Sequence, residues 1–222
     1  MRRIMLAGLA AAVLPLAACD EPQQSETRSY EVTESVTAAA INSFGGTVTV
    51  TAGSGRDVVV FETLRYRGAK PAPEHRLEGT DLTFTSGCQG HRGDCGVDYR
   101  IEVPATVNVT VDSGGGAVSL DGLSGRLDVS SGGGAVDAVR VSAPAFTAAT
   151  GGGAADVAFT AAPATVRIDS GGGDVKVGLP GGSYATDVDA EGGEAAVGVT
   201  TDPAAAHRIE VRTGGGNARL TS

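Results

Sequence analysis

Leu-Asp-Val-Ser-Ser-Gly-Gly-Gly-Ala-Val-Asp-Ala, residues 127–138, places two short alternating segments on either side of a glycine triplet. Leu127 and Val129 precede the triplet, Val136 and Ala138 follow it, and an aspartate separates the members of each pair. Because successive side chains of a strand point to opposite faces, each segment predicts a strand with one apolar and one polar face. The stretch therefore predicts two strands joined at a glycine corner.

This unit recurs along the chain. In the six copies from residue 113 onward, which are 18 to 23 residues apart, 23 of the 24 alternate positions flanking the corners are apolar. Of the 24 intervening positions, 14 are charged. A period of two with one apolar face predicts strands and argues against helices. Residues 190–193 are a degenerate copy, residues 43–46 are an earlier one, and the regular copies of Ser/Thr-Gly-Gly-Gly begin at Ser113, Ser131, Thr150, Ser170 and Thr213.

Repeats of this length are too small to bury an apolar face alone, so they are expected to stack. We predict an all-β fold, a parallel β-solenoid of coils of 18–23 residues with Gly-Gly-Gly corners. Antiparallel hairpins packed as a sandwich are the alternative. Glycine at the corners would permit positive φ angles and let neighbouring backbones approach closely. The predicted corner residues are Gly114, Gly115, Gly116, Gly132, Gly133, Gly134, Gly151, Gly152, Gly153, Gly171, Gly172, Gly173, Gly214, Gly215 and Gly216.

Two alternative interpretations treat the glycine triplets as ligand-binding sites, for phosphate or for calcium. A phosphate-binding loop is followed by a helix and by Lys-Ser or Lys-Thr after its last glycine, whereas here a predicted strand follows and lysine is absent from that place. Calcium-binding nonapeptide repeats are also rich in glycine and aspartate, but their period is about half as long. The structural interpretation is therefore favoured.

The first residues have the features of an export signal. Two arginines precede an apolar run at 4–14, which is too short to span the ~30 Å core of a bilayer. Residues 16–19, Leu-Ala-Ala-Cys, resemble the lipobox of bacterial lipoproteins. This resemblance implies a diacylglyceryl thioether on Cys19 and an added acyl chain such as palmitate. An ordinary signal peptide containing a cysteine is the alternative. We expect a protein anchored by lipid at the extracytoplasmic face of a cell membrane.

The predicted organisation has three parts. Residues 1–18 are the lipoprotein signal peptide. Residues 19–29 are the lipidated cysteine and a flexible tether, because the segment is polar, acidic and contains proline. Residues 30–222 are a single β-strand-repeat domain, with an irregular N-terminal part at 30–112 and regular repeats at 113–222.

Cys88 and Cys95 are the remaining cysteines. Outside the cytoplasm such a pair predicts a disulfide, and closing so short a loop would stabilise the fold by roughly 2–3 kcal/mol. His91 and Asp94 leave a metal site as one alternative, and free thiols are another. The spacing matches no zinc module and an exported protein is oxidised, so we favour the disulfide.

The net charge of −9 argues against a nucleic-acid partner, and we predict no cofactor or metal. Residues 64–76 are basic and are interpreted as a solvated loop, with binding of an anionic partner as the alternative. Asp112, Asp169 and Asp189 share one place in their repeats, and we expect the last two on strands ~4.8 Å apart. A solvated acidic face is favoured over a divalent-cation site or the paired carboxylates of a carbohydrate-active enzyme.

Tyr-Arg-Ile-Glu-Val-Pro at 99–104, followed by repeated hydrophobic-x-hydrophobic-x-Ser-Gly-Gly-Gly-x-Val-x-Val segments, resembles a bacterial β-strand-repeat family of unknown function described as "putative adhesins". The resemblance covers roughly residues 40–220. It implies a β-solenoid-like envelope protein and no assigned catalytic residues. The cysteine loop and the long glycine triplets depart from the family pattern.

We therefore expect a non-enzymatic, lipid-anchored envelope protein that presents a β-solenoid surface for adhesion or assembly. Besides the membrane, its expected partner is an envelope protein or a glycan. Leu220 lies near the C-terminus without a polar cap after it. An uncapped last coil predicts edge pairing of two copies into a homodimer.

Overall fold

The computed structural model describes residues 22–90 and 94–222, and these residues form twenty strands in two ten-stranded sheets, with no helix. The predicted all-β class is confirmed. In the same residues, no helix has the length and apolar character needed to cross a membrane.

The strands fall into three groups along the chain. The irregular N-terminal part contains β1 (Gln24–Val32), β2 (Ala38–Ser43), β3 (Val48–Gly53), β4 (Val58–Tyr66), β5 (Glu74–Glu78), β6 (Asp81–Thr85) and β7 (Cys95–Pro104). The regular repeats supply β8 (Asn108–Ser113), β9 (Val118–Asp121), β10 (Leu127–Ser131), β11 (Val136–Val141), β12 (Ala145–Thr150), β13 (Ala155–Phe159), β14 (Thr165–Ser170) and β15 (Val175–Gly178). The C-terminal part contains β16 (Ser183–Ala190), β17 (Ala195–Val197), β18 (Thr200–Thr201), β19 (Arg208–Thr213) and β20 (Ala218–Thr221).

Sheet 1 has the order β1-β4-β7-β3-β9-β11-β13-β15-β20-β17, and sheet 2 has the order β18-β16-β19-β14-β12-β10-β8-β2-β6-β5. Strands on the two sides of each glycine corner belong to different sheets, so the chain alternates between the sheets through the repeats. Neighbouring repeat strands are parallel, and corresponding residues are register partners, as in Ser113↔Ser131↔Thr150↔Ser170. In the described sheets the antiparallel pairs are β1–β4, β4–β7 and β5–β6.

The alternation predicted from the sequence matches the burial of the side chains. In the five regular copies every predicted inward position is buried, and most of these residues are valine, alanine, leucine or isoleucine. The degenerate copy differs, because Val188 is only half-buried and Ala195 and Val197 are exposed. Its two strands, β16 and β17, lie near the ends of the two sheets.

The C-terminal strands are inserted into the stack rather than added to its end. β19 pairs with β14 on one side and β16 on the other, and β20 lies between β15 and β17. Leu220 is therefore buried, and the expectation that it belongs to an exposed last coil is wrong. The exposed end is formed instead by β16, β17 and β18.

The N-terminal part shows the same kind of insertion. β2 lies between β6 and β8, and β3 lies between β7 and β9. Residues 24–29 do not belong to a flexible tether as expected, because they form strand β1, which pairs with β4 along all nine of its residues. Their side chains are polar and exposed, so backbone pairing and ion pairs such as Arg28–Glu62, rather than burial, hold them in place.

Candidate functional site

A disulfide bond joins Cys88 and Cys95, whose Cα atoms are 5.7 Å apart. The predicted disulfide is confirmed, and the alternatives of free thiols or a metal site on these cysteines are wrong. His91, which the metal alternative invoked, and Cys19, the predicted lipidation site, lie outside the described residues. The bond links the segment after β6, in sheet 2, to the start of β7, in sheet 1.

A surface groove of about 530 Å³ lies beside this disulfide. The ends of β2 and β8 form one side of it, and the segment that follows β6 forms another. Its lining mixes hydroxyl, amide and carboxylate side chains with one aromatic ring. The lining residues are Asn42, Ser43, Phe44, Ala72, Glu74, Thr85, Ser86, Gly87, Gln89, Asp112 and Gly114.

A row of three polar residues crosses the groove. Thr85 of β6, Asn42 of β2 and Asp112 of β8 are register partners on adjacent strands, and all three are exposed. Adjacent strands lie ~4.8 Å apart, so the row spans about 10 Å. The regular pairing of sheet 2 thus places a hydroxyl, an amide and a carboxylate side by side.

Phe44 is the aromatic residue of the groove, and 55% of its surface is exposed. It occupies the corner position that glycine fills in the regular repeats. A Cβ atom on Gly114 would lie 2.4 Å from the carbonyl oxygen of Phe44. The backbone of the Phe44 corner therefore packs as closely against the neighbouring corner as the backbone of a regular repeat does. Sequence analysis recognised residues 43–46 as an early repeat but assigned no function to Phe44. The available signal was an aromatic residue in a glycine position.

The segment that follows β6, Ser86–Gly87, is held closely against neighbouring backbone. The Ser86 N–H donates a hydrogen bond to the carbonyl oxygen of Asn42 at 3.1 Å. Gly87 has a φ of +66°, and a Cβ there would lie 2.3 Å from the carbonyl oxygen of Ala72. With the adjacent disulfide, these contacts fix the shape of the groove.

The groove carries negative charge. Glu74 and Asp112 line it, and neither lysine nor arginine is among the described residues that line it. An anionic ligand would therefore be repelled, whereas a neutral or cationic ligand would not.

The first and third glycines of each corner are required for close approach of stacked backbones, and none of the corner glycines is required for positive φ. None of the fifteen has a positive φ, so that part of the expectation is wrong. A Cβ on Gly132 would lie 2.2 Å from the carbonyl oxygen of Gly114, and one on Gly134 would lie 2.2 Å from that of Gly116. The middle residue, Gly133, has no heavy atom within 4 Å of such a Cβ.

The serine or threonine before each triplet is a structural residue that sequence analysis missed. These hydroxyls are buried and bond to the corner backbone. Ser170 Oγ accepts a hydrogen bond from the Gly173 N–H at 2.9 Å, and Thr213 Oγ1 accepts one from Gly216 at 3.0 Å while donating to the carbonyl oxygen of Gly173, also at 3.0 Å. The signal was in the sequence, since the two-residue period places this position on the inward face. The buried set is Ser43, Ser113, Ser131, Thr150, Ser170 and Thr213.

The acidic row does not bring Asp169 and Asp189 together. The inserted strand β19 places Arg212 between them as the register partner of both. On the same face Arg167 contacts Glu210 at 2.6 Å and Asp169 at 3.0 Å. The expectation of adjacent carboxylates is wrong because it assumed that sequential repeats are spatial neighbours. A mixed ion-pair surface replaces the proposed hydrolytic or cation-binding pair.

The basic segment 64–76 is not a simple loop. Parts of it belong to β4 and β5, and its cations face acidic partners. The ion pairs are Arg65–Asp98 at 2.6 Å, Arg67–Asp94 at 3.2 Å, Lys70–Glu26 at 2.6 Å and Arg76–Glu78 at 2.8 Å. The ring of His75 stacks on Tyr30 with centroids 4.5 Å apart. Local neutralisation weakens the alternative of an anionic partner here.

Glu62 is a fully buried carboxylate on β4. The Tyr30 hydroxyl donates a hydrogen bond to it at 2.7 Å, and Arg28 forms an ion pair with it. Tyr99 is also buried, and its hydroxyl has no hydrogen-bond partner among the described residues. Burial, reinforced by the charge of Glu62, raises the pKa of both tyrosines. These contacts attach β1 to the fold.

No protein-family model matches the chain, and no curated protein matches it. Two solved structures of bacterial proteins are similar in fold. The first is a "putative cell adhesion protein" from Clostridium sporogenes, with a TM-score of 0.56 and 15% identity, covering 90% of this chain and 99% of the other. The second is a "putative adhesin" from Bacteroides fragilis, with a TM-score of 0.54 and 14% identity, covering 89% of this chain and 97% of the other. At these identities the similarity establishes a common architecture with bacterial proteins so named.

Proposed function

We propose that this protein is a non-enzymatic attachment protein of the bacterial cell envelope, presented at the extracytoplasmic face of a membrane by acyl chains on Cys19. The observation that carries the attachment function is the groove beside the disulfide, where the exposed Phe44 ring lies among polar side chains. Aromatic residues are enriched at interfaces because they combine a large apolar area with few rotatable bonds. In the regular repeats glycine fills this corner position, so the stack itself does not require the ring.

We also infer that the repeats form a parallel β-solenoid. Three features support it: strands that alternate between two sheets, parallel pairing of equivalent residues, and glycine corners stacked on one another. Such a stack is a rigid scaffold, and a binding groove built on it is held in a fixed shape.

Export and anchoring are supported by two observations. The Cys88–Cys95 disulfide is of the kind that persists outside the reducing cytoplasm. Strand β1 begins at Gln24, five residues after Cys19. A fully extended segment of that length spans at most about 17 Å, so a lipid on Cys19 would hold the domain close to the membrane.

The test uses the full chain expressed in a bacterium. After cell fractionation, wild-type protein is expected in the membrane fraction and the Cys19→Ala variant in the soluble fraction. Immobilised full chain is then incubated with washed envelope fragments. We expect retention of fragments by wild type and by Val139→Ala, an exposed site outside the groove, but loss of retention by Phe44→Ala. Equal retention by all three proteins, or by none, would refute the attachment function.

A further inference from the structure

We propose that the groove beside the disulfide, lined by Phe44 and by the Thr85–Asn42–Asp112 row, binds an uncharged saccharide. This inference rests on the proposed attachment function and names the chemical class of the ligand. Four features of the groove, taken in turn, lead to it.

The first feature is the aromatic surface. Phe44 exposes more than half of its area inside a groove whose other side chains are mostly polar. A purely apolar ligand would leave those polar groups without partners, which is unfavourable. A ligand with one apolar face and polar edges fits both parts. A sugar ring has this shape, since its C–H groups lie on one face and its hydroxyls project around the rim.

The second feature is the hydrogen-bonding inventory. A sugar hydroxyl both donates and accepts, so its recognition needs both kinds of group. The Asn42 amide and the Thr85 hydroxyl each donate and accept, whereas the Asp112 carboxylate accepts only. Gln89 adds a second amide to the lining. Because three of these groups sit on adjacent strands in register, they face several hydroxyls along ~10 Å.

The third feature is the charge. With Glu74 and Asp112 in the lining and no basic side chain among the lining residues that the structure describes, anionic polymers and phosphates are disfavoured. Both carboxylates can accept hydrogen bonds from neutral hydroxyls. A neutral saccharide is the ligand class that uses the ring, the amides and the carboxylates together.

The fourth feature is rigidity. Three contacts fix the segment after β6 beside the end of β2. They are the Ser86–Asn42 hydrogen bond, the close packing of Gly87 on Ala72 and the adjacent disulfide. A groove whose shape is fixed before the ligand arrives loses little conformational freedom on binding. Even a sugar that forms weak individual contacts can therefore be retained.

The experiment titrates the detergent-solubilised full chain with neutral cello-, manno-, galacto- and chito-oligosaccharides by calorimetry. We expect binding of at least one series. Phe44→Ala should weaken it roughly tenfold or more, through loss of the stacking surface. Asp112→Asn should weaken it about fivefold, because the amide replaces one accepting oxygen with a donor. Asp128→Asn, an exposed aspartate of the same sheet outside the groove, is the matched control and should bind like wild type. Unchanged melting temperatures would show that the variants fold.

Several outcomes would overturn the inference. One is an absence of binding across all four series while envelope fragments are still retained in a Phe44-dependent manner. The attachment function would then survive and only the ligand class would be wrong. Another is saccharide binding that Phe44→Ala leaves intact, which would move the site elsewhere. Stronger binding of a polyanion or of an oligolysine peptide than of any neutral sugar would replace the ligand class. Loss of both sugar binding and fragment retention would overturn both proposals.

Discussion

The position of a glycine within its triplet decides how much its substitution by alanine changes the stability of the fold. We expect Gly132→Ala or Gly134→Ala to destabilise the fold by roughly 2–3 kcal/mol, because the new methyl group would lie 2.2 Å from a stacked carbonyl oxygen and the backbone would have to shift. Gly133→Ala should be neutral or stabilising by up to about 1 kcal/mol, since its site is open, its φ is not positive and alanine reduces the entropy of the unfolded chain. Urea unfolding of the three variants measures the difference.

Gly151, Gly152 and Gly153 provide an internal control, because the same geometry recurs in their corner. The middle position should again tolerate alanine and the outer two should not. Equal destabilisation at all three positions of a triplet would show that backbone conformation, rather than close approach, selects glycine.

Three tyrosines with raised pKa values, the half-buried Tyr30 and the buried Tyr99 and Tyr184, should make the protein sensitive to alkali. Burial is the largest cause that raises the pKa of Tyr30 and of Tyr99, and it is the cause that raises the pKa of Tyr184. A raised folded-state pKa means that the stabilisation is fully present below pH ~10, the unfolded value, and is lost as the pH rises above it. Each tyrosine should lower the unfolding free energy by up to about 1.4 kcal/mol per pH unit in that range.

Urea unfolding between pH 8 and pH 11 tests this. Tyr99→Phe should reduce the slope above pH ~10 by about a third, because Tyr30 and Tyr184 still contribute to it, and should not change the pH dependence between pH 8 and about pH 10. It should also be tolerated at pH 8, because the Tyr99 hydroxyl makes no hydrogen bond among the described residues. An identical alkaline slope in wild type and variant would contradict the assignment.

At the level of whole strands, the chain order and the spatial order differ at both ends of the stack. β19 and β20 come last among the strands, yet each lies between two other strands. β17 has three exposed residues and lies at the edge of sheet 1, and β18 has two and lies at the edge of sheet 2. Backbone amides between two partners open less readily than those at an edge.

Hydrogen exchange should therefore be slower in β19 and β20 than in β17 and β18, although β19 and β20 come last in the chain. Amides of Ile209–Val211 and of Ala218–Leu220 should exchange at least tenfold more slowly than those of β17 and β18. The β13 amides in the regular repeats are the reference for full protection. Fast exchange at β20, as expected of a fraying terminus, would rule out its insertion between β15 and β17.

The molecule as a whole shows which features a repetitive sequence can and cannot predict. The two-residue period predicted the strands, the buried face and the equivalence of Ser131 with Thr150, because these depend on local alternation and on self-similarity. It could not predict that β19 enters between β14 and β16, since all repeats carry equivalent apolar faces and any of them could be neighbours. The misplacement of Asp169 beside Asp189 and of Leu220 at the end followed from that ambiguity. The groove at Phe44 was missed because it depends on residues from β2, β6 and β8, which only the tertiary structure brings together.

The two ends of the stack are unequal, and this asymmetry predicts where two copies would pair. β1, β4 and β5 add antiparallel strands at the N-terminal end, whereas the C-terminal end leaves Val197 of edge strand β17 with 43% of its surface exposed. An exposed edge with an apolar side chain favours pairing with another copy, and a lysine there opposes it. We expect Val197→Lys to weaken self-association of the detergent-solubilised full chain at least tenfold, measured by light scattering across a concentration series. Val139→Lys is the matched control, because Val139 is 42% exposed on a strand paired on both sides. If Val139→Lys weakens self-association as much as Val197→Lys does, the contact between copies is a sheet face rather than the β17 edge. If wild type stays monomeric at every concentration, edge pairing through β17 is wrong.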